Sequence, residues 1–275
     1  MALNLARRFP LTVWNRTDSD AKYAPLVKAG ALIGKTPVHL VEQSDVIFCM
    51  LFDGPAIESI LDQNVRKALS GKTLINTSSV SVEFSEKLDE IVRASGGSFV
   101  EMPVSGSKVP AEQGRLVGMV AGDSADAKRV LPFVEPLTTA AIYCGPIGSG
   151  LRTKYAVNLF LIAITAGLAE AMNLARAQGL NLESFGRVLN AGPMASDYSK
   201  IKIAKMLQQD WSPQAAIEDC YNSTQLIRSA AKVANTTIPV AELCSSLYCK
   251  AKGHGLGGED MIAIYKLFSK LETSD

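Results

Sequence analysis

The sequence predicts two architectures in series, a mixed α/β half followed by an all-α half. Three observations carry this. Short apolar runs alternate with helix-length segments as far as Cys144. The alternation stops at Gly148. Everything beyond has helical spacing, beginning with a long apolar stretch. Strands that alternate with helices point to a mostly parallel sheet covered on both faces, because parallel neighbours need a crossover connection.

In chain order, Met1–Phe9 (MALNLARRF) reads as a short amphipathic helix and Leu11–Trp14 as a strand. Asp18–Lys28 is helical, with Gly30 just past its end. Asp45–Phe52 (DVIFCMLF) is almost continuously apolar, as a strand buried on both faces must be. Asp53-Gly54-Pro55 reads as a turn and Thr73–Asn76 as the next strand. Glu83–Ala94 sets Phe84, Leu88, Ile91 and Val92 at helical spacing and stops at Gly96-Gly97. Ser98–Met102, Leu116–Ala121 and Ala141–Cys144 are further strands, with a helix across Ala125–Val134. Gly150–Gln178 reads as one helix, about 43 Å long at a rise of ~1.5 Å per residue, closed by Gly179. Leu182–Leu189, Asp197–Met206, Ala216–Ala234, Val240–Lys252 and Asp260–Leu271 are also helical. The expectation is a doubly wound, Rossmann-type parallel sheet in residues 1–148 and an all-α domain in 149–275.

One element of that sheet is missing. A doubly wound nucleotide domain normally opens with a strand and a Gly-x-Gly-x-x-Gly turn, which feeds a helix whose N-terminus receives a pyrophosphate. Here Met1–Phe9 takes the place of that helix and Leu11–Trp14 that of the second strand. Gly54, Gly71 and Gly96-Gly97 do not form the turn. The sheet is therefore expected to lack its central first strand, leaving unpaired backbone on either side of a gap.

At 275 residues, 47% apolar and 20% charged, the chain is globular with a sizeable core. A net charge of +1 with interspersed signs gives no basic stripe for nucleic acid and no polybasic block for a membrane surface. The five cysteines are scattered and only His39 and His254 accompany them. That argues against a metal site and for reduced thiols in a cytoplasmic protein. The apolar run Leu159–Ala169 is too short to cross a bilayer, and Met1–Phe9 is no signal peptide.

Four clusters could carry chemistry. Lys154 and Asn158 stand four residues apart on one helix face, just after Gly148-Ser149-Gly150. A lysine and a carboxamide placed so can give a proton and hydrogen bonds into a cleft; the alternative is a solvated lysine on an amphipathic helix. Partial burial and the helix's positive end would both disfavour the charged amine. Asn15-Arg16-Thr17 follows a strand, where an arginine with a hydroxyl neighbour suits a ribose 2′-phosphate, or else forms a plain polar turn. Ser105 and Gly106 also follow a strand and offer a hydroxyl and a bare N–H to a small carboxylate, against an ordinary Pro/Gly/Ser turn. Asn76-Thr77-Ser78-Ser79-Val80 would present hydroxyls to a cofactor ring or substrate, or cap the next helix.

In combination these motifs resemble the β-hydroxyacid dehydrogenase family, over Met1 to about Leu271. Met1-Ala2-Leu3-Asn4-Leu5 resembles the segment after that family's glycine turn. Pro103-Val104-Ser105-Gly106, with Ala111 and Gly114-x-Leu116, resembles its substrate signature. Gly148-x-Gly150-x-x-x-Lys154-x-x-x-Asn158 resembles its catalytic signature, and Val13-Trp14-Asn15-Arg16-Thr17 the NADP-selecting strand end. The resemblance implies hydride transfer between NADP(H) and a small carboxylate-bearing hydroxy acid or aldehyde acid. Lys154 would be the general acid–base and Asn158 would orient the substrate or Lys154. Ser105 and Gly106 would hold the carboxylate, and Met50, Leu51 and Ser79 would line the cofactor cleft. It also implies a homo-oligomer, dimer or tetramer. Trp211 and Asp219 match a late substrate-site pattern, although Glu218 replaces its lysine and Glu101 its usual aspartate. The alternative is a non-catalytic relative that serves as an oligomeric or partner-binding protein because the cofactor turn is absent. An imine-reducing group of similar fold generally lacks the lysine, so Lys154 argues against it.

Overall fold

The computed structural model describes residues 1–17 and 19–271, so Asp18 and the expected end of the helical domain lie outside it. Two compact units emerge, Met1–Lys154 and Tyr155–Asp275. The division between these units falls inside a long helix.

The first unit carries strands β1 (Thr12–Val13), β2 (Leu32–Ile33), β3 (Val46–Cys49), β4 (Thr73–Asn76), β5 (Ser98–Glu101), β6 (Val104–Ser105), β7 (Leu116–Gly122) and β8 (Thr138–Gly145). They form two separate sheets. β1 pairs only with β2, in parallel, and the larger sheet runs β3-β4-β5-β7-β6 with β8 also on β7. The β3/β4, β4/β5 and β7/β8 pairs are parallel. β7 is antiparallel to both β5 and β6. The return from β5 to β7 carries β6 and a single six-residue helix, Lys108–Gln113, ended by Gly114 at φ 68°. That is too short for a parallel crossover, so the chain turns back on itself.

The expected gap is present as the break between β1 and β3. The larger sheet packs Ile75, Val100, Met102 and Val120 against Ala127, Val130 and Val134 of the helix Ser124–Val134. Helix Val82–Ala94 buries Val82, Ser85, Leu88 and Val92, and Ser81 Oγ caps it by accepting the Phe84 N–H at 3.1 Å.

Several short elements escape the sequence pattern, including β2, β6 and the helices Pro37–Glu42, Gly54–Glu58 and Gln63–Ala68. Two-residue strands show no alternation, and helices under two turns show no period. The segment read as the turn Asp53-Gly54-Pro55 is a helix start, with the Asp53 carboxylate accepting the Ala56 N–H at 2.8 Å.

The second unit is helical throughout its described residues: the rest of Ser149–Ala177, then Leu182–Ala191, Asp197–Gln208, Ile217–Val233, Pro239–Ala251 and Ile264–Leu271. A buried ion pair ties two of its segments, Lys202 Nζ to Asp260 Oδ1 at 2.7 Å, with exposures of 2% and 0%. Asp260 also accepts the Gln214 and Ile262 N–H groups, so both carboxylate oxygens are engaged. Burial pulls the Lys202 amine below its ordinary value, against the pull of Asp260.

Helix Ser149–Ala177 spans 29 residues and is, by length and composition, long and apolar enough to cross a membrane. The run Leu159–Ala169 understates it, because Ala171, Met172, Leu174 and Ala175 extend the apolar character beyond Glu170. Only 33% of its most apolar window is buried within the chain.

Candidate active site

The site grows from one buried carboxylate. Glu101 ends β5 and is fully buried. Its Oε1 accepts the Gly150 N–H at 2.9 Å and the Leu151 N–H at 3.2 Å, and its Oε2 accepts the Ser85 hydroxyl at 2.6 Å. Two of the otherwise orphaned N–H groups at the start of the 29-residue helix are thus satisfied by a side chain from the sheet. Burial pushes the Glu101 carboxyl above its ordinary value, while these hydrogen bonds hold it down.

Gly150 must be glycine. An added Cβ would lie 2.6 Å from the Met119 carbonyl and 3.3 Å from Pro103 Cδ. The helix therefore begins in backbone contact with the sheet, beside the segment that leads into β6.

Lys154 follows one turn later and is half-buried. Ser105, two residues past Pro103, is half-buried on β6 opposite Val117. Gly106 is exposed with φ 124°, and a side chain there would sit 2.7 Å from Leu116 Cδ2. Bare backbone at that point is thus a steric requirement. Asn158 lies beyond the unit boundary, half-buried, its Nδ2 donating to Ser223 Oγ at 3.4 Å.

At the neighbouring strand ends, Thr77 Oγ1 donates to the Cys49 carbonyl at 2.9 Å, and the Leu51 N–H donates to Ser78 Oγ at 2.9 Å. These two hydroxyls fasten β3 to β4, and Ser79 is left exposed. The cap of the following helix is Ser81, so the Asn76–Val80 run does not serve that purpose. Asn76 Oδ1 accepts the Ser78 N–H, but its buried Nδ2 has no partner among the described residues. Met50 is 59% exposed and Leu51 is half-buried beside it. An unsatisfied amide next to an apolar shelf fits a flat ring with a polar edge.

Asn15, Arg16 and Thr17 are all exposed after β1. The Asn15 side chain donates to the Thr17 carbonyl at 2.7 Å, and its N–H donates to the Tyr23 hydroxyl at 2.9 Å. These bonds shape the loop and leave the Arg16 side chain directed by none of them. The residues at both ends of a dinucleotide therefore fit it, whereas no glycine-rich turn for its pyrophosphate is found among the described residues.

Trp211 and Asp219 have local attachments within the second unit. Asp219 Oδ2 accepts the Ala216 N–H at 3.1 Å, capping its own helix. The Trp211 ring stacks on Tyr265, with the Lys266 ammonium 4.8 Å from its centroid. Glu218, in place of a lysine, pairs with Lys252 at 2.6 Å. Sequence reasoning missed Ser85 and the orphaned Asn76 amide. The signal for Ser85 was a hydroxyl on the otherwise apolar stripe Val82–Leu88–Val92.

Known proteins match both halves of the chain. Residues 1–145 match the family described as the NAD-binding domain of 6-phosphogluconate dehydrogenase. Residues 148–268 match that described as NAD-binding of NADP-dependent 3-hydroxyisobutyrate dehydrogenase. Glyoxylate/succinic semialdehyde reductase 1 of Arabidopsis thaliana is 31% identical over 96% of this chain and 92% of its own length. The chloroplastic reductase 2 of the same plant is 31% identical over 100% and 77%. The crystal structure of a 3-hydroxyisobutyrate dehydrogenase from Salmonella typhimurium shares the fold with a TM-score of 0.88, at 22% identity and coverages of 97% and 94%. With both halves matched and the reductase aligned almost end to end, this chain belongs to the β-hydroxyacid dehydrogenase family of NAD(P)-dependent oxidoreductases.

Proposed function

We propose that the chain reduces a small aldehyde acid with NADPH, and oxidises the corresponding hydroxy acid in reverse, with Lys154 moving the proton. The observation that carries this is the anchoring of the helix start. Glu101 holds Gly150 and Leu151 against the sheet end from which Ser105 emerges, so Lys154 is presented from a fixed first turn. A bound nicotinamide would supply the hydride. Lys154 gives its proton to the carbonyl oxygen as the alcohol forms and takes it back in oxidation. Ser105 and the bare Gly106 backbone grip the carboxylate, and Asn158 orients Lys154 or substrate. The names of the two plant relatives make glyoxylate and succinic semialdehyde the first substrates to try.

Choice of NADPH over NADH is assigned to Arg16, whose guanidinium suits a 2′-phosphate. Arg16→Ala should weaken NADPH binding about 10- to 100-fold, the size of a lost charge-assisted hydrogen bond. It should change NADH binding less than about threefold. Fluorescence titration of the reduced cofactor reads both, and an equal loss for the two would remove Arg16 from selection. A chain that binds neither nucleotide would instead be the non-catalytic relative, a reading favoured only by the split sheet.

The second unit is also proposed to meet a further copy through the long helix, where Phe160 (65% exposed) and Leu174 present apolar surface. Phe160→Glu should lower the oligomeric state read by sedimentation. Unchanged sedimentation would place the interface elsewhere.

A further inference from the structure

Between β6 and β7 the chain forms the six-residue helix Lys108–Gln113, and none of its residues is buried. A helix this short is not stable by itself, and this one has no apolar face to hold it down. It nevertheless borders the carboxylate grip. An added Cβ at Gly106 would lie 3.1 Å from Pro110 Cβ, so the first turn of the helix rests against the bare backbone that follows Ser105. Whatever fixes the helix also fixes that backbone.

At the far end of this helix the Gly114 and Arg115 N–H groups both donate to the Pro110 carbonyl, the latter at 2.8 Å. The Ala111 carbonyl, which a continuing helix would pair with Arg115, therefore receives no donor from its own helix. A side chain from far away in the sequence supplies one. Asn4, on the helix Ala2–Ala6 and only 8% exposed, donates from Nδ2 to the Ala111 carbonyl at 3.1 Å. Gly114 makes room for this approach, since a Cβ there would lie 3.4 Å from Asn4 Nδ2 and 2.5 Å from the Pro136 carbonyl. The Met1 amine reaches the same Ala111 oxygen at 3.3 Å, so the test below separates the two donors.

We propose that Asn4 is a positioning residue for the substrate grip: its amide caps the helix Lys108–Gln113 and so holds Gly106 and Ser105 where they meet a carboxylate. This rests on the catalytic reading of Ser105 and Gly106 given above. Asn4 acts through Ala111 and Pro110, not through Lys154. Its loss should therefore weaken capture of the acid and spare the proton transfer, because a carboxylate grip serves ground and transition states alike.

Two variants of the full chain test this. Asn4→Leu keeps a side chain of similar size and a good helix former but has no donor, whereas Asn4→Gln keeps the amide. Hydrogen exchange reads the cap directly. In Asn4→Leu the Ala111 and Arg115 amides should exchange about tenfold faster while the Ile75 and Val120 amides of the sheet stay as they were, and Asn4→Gln should lie nearer the parent. Steady-state kinetics with glyoxylate and NADPH read the consequence. KM should rise about five- to tenfold in Asn4→Leu, the size of one lost hydrogen bond, with kcat kept within about twofold. An added Gly-Ser ahead of Met1, which takes the amine away from Ala111, should leave both readouts at the parent's values. Unchanged exchange in Asn4→Leu, or an equal change in the Gly-Ser chain, overturns the proposal. So does faster exchange that extends to the sheet amides, or faster exchange at Ala111 and Arg115 with KM unaltered. A parent that turns over neither glyoxylate nor succinic semialdehyde counts against the catalytic reading instead, and exchange alone then decides whether Asn4 holds the helix.

Discussion

Lys154→Ala should lower kcat by about 10²- to 10⁴-fold, the range associated with a positioned general acid–base, while NADPH binds as before. The lysine stands one turn inside the long helix and half-buried, where its ammonium can serve a reacting oxygen without being part of the adenosine end. Lys154→Arg should fail almost as badly, because a guanidinium keeps its charge but does not release its proton in proteins. That pair of variants separates proton transfer from electrostatic attraction. If charge alone were needed, arginine would restore turnover. Ser105→Ala should act differently, raising KM for the acid with a smaller effect on kcat, since a carboxylate grip serves ground and transition states alike. Steady-state kinetics with glyoxylate read all three, and an unchanged kcat in Lys154→Ala removes the lysine from the chemistry.

How much of this was legible beforehand depended on length and locality. The strand Val46–Cys49 and the helix Val82–Ala94 were readable because each is long enough to show its period. The break in the sheet was readable too, because no Gly-x-Gly-x-x-Gly turn joins a strand to a helix anywhere in the sequence. The antiparallel course of β7 was not. It follows from the shortness of the Ser105–Gly114 return, and a turn-rich segment gives no sign of direction. Lys154 was visible as a motif, but its anchorage was hidden because the partners Glu101, Ser85 and Gly150 are far apart in sequence and meet only in the folded unit. The role of Asp219 shows the reverse. Its position matched a pattern, while its carboxylate is engaged in capping the helix that carries it.

That anchorage supplies the second large effect. Glu101→Ala would strand three buried donors, the N–H groups of Gly150 and Leu151 and the Ser85 hydroxyl. At roughly 1–3 kcal/mol for each unsatisfied group, and with incomplete additivity, the first unit should lose about 3–5 kcal/mol. For a unit of this size that amounts to roughly 10 °C in Tm. Glu101→Gln should cost under about 1 kcal/mol, because its oxygen can accept from both N–H groups while its amide donates to Ser85. The pair also has a pH signature. Burial raises the Glu101 carboxyl above its ordinary 4.5, so the folded chain binds that proton more readily than the unfolded chain. Stability contributed by this group therefore falls as pH rises from 4.5 through the raised value, and glutamine should abolish that slope. Glu101 acts on turnover only through the helix it holds. In Glu101→Ala the freed first turn should let Lys154 wander, lowering kcat more than it raises KM, and Glu101→Gln should restore both. Denaturant melts at several pH values, set beside the kinetics, decide the matter. If alanine melts like the parent, the carboxylate is no anchor; if alanine melts lower with kcat untouched, Lys154 does not depend on it.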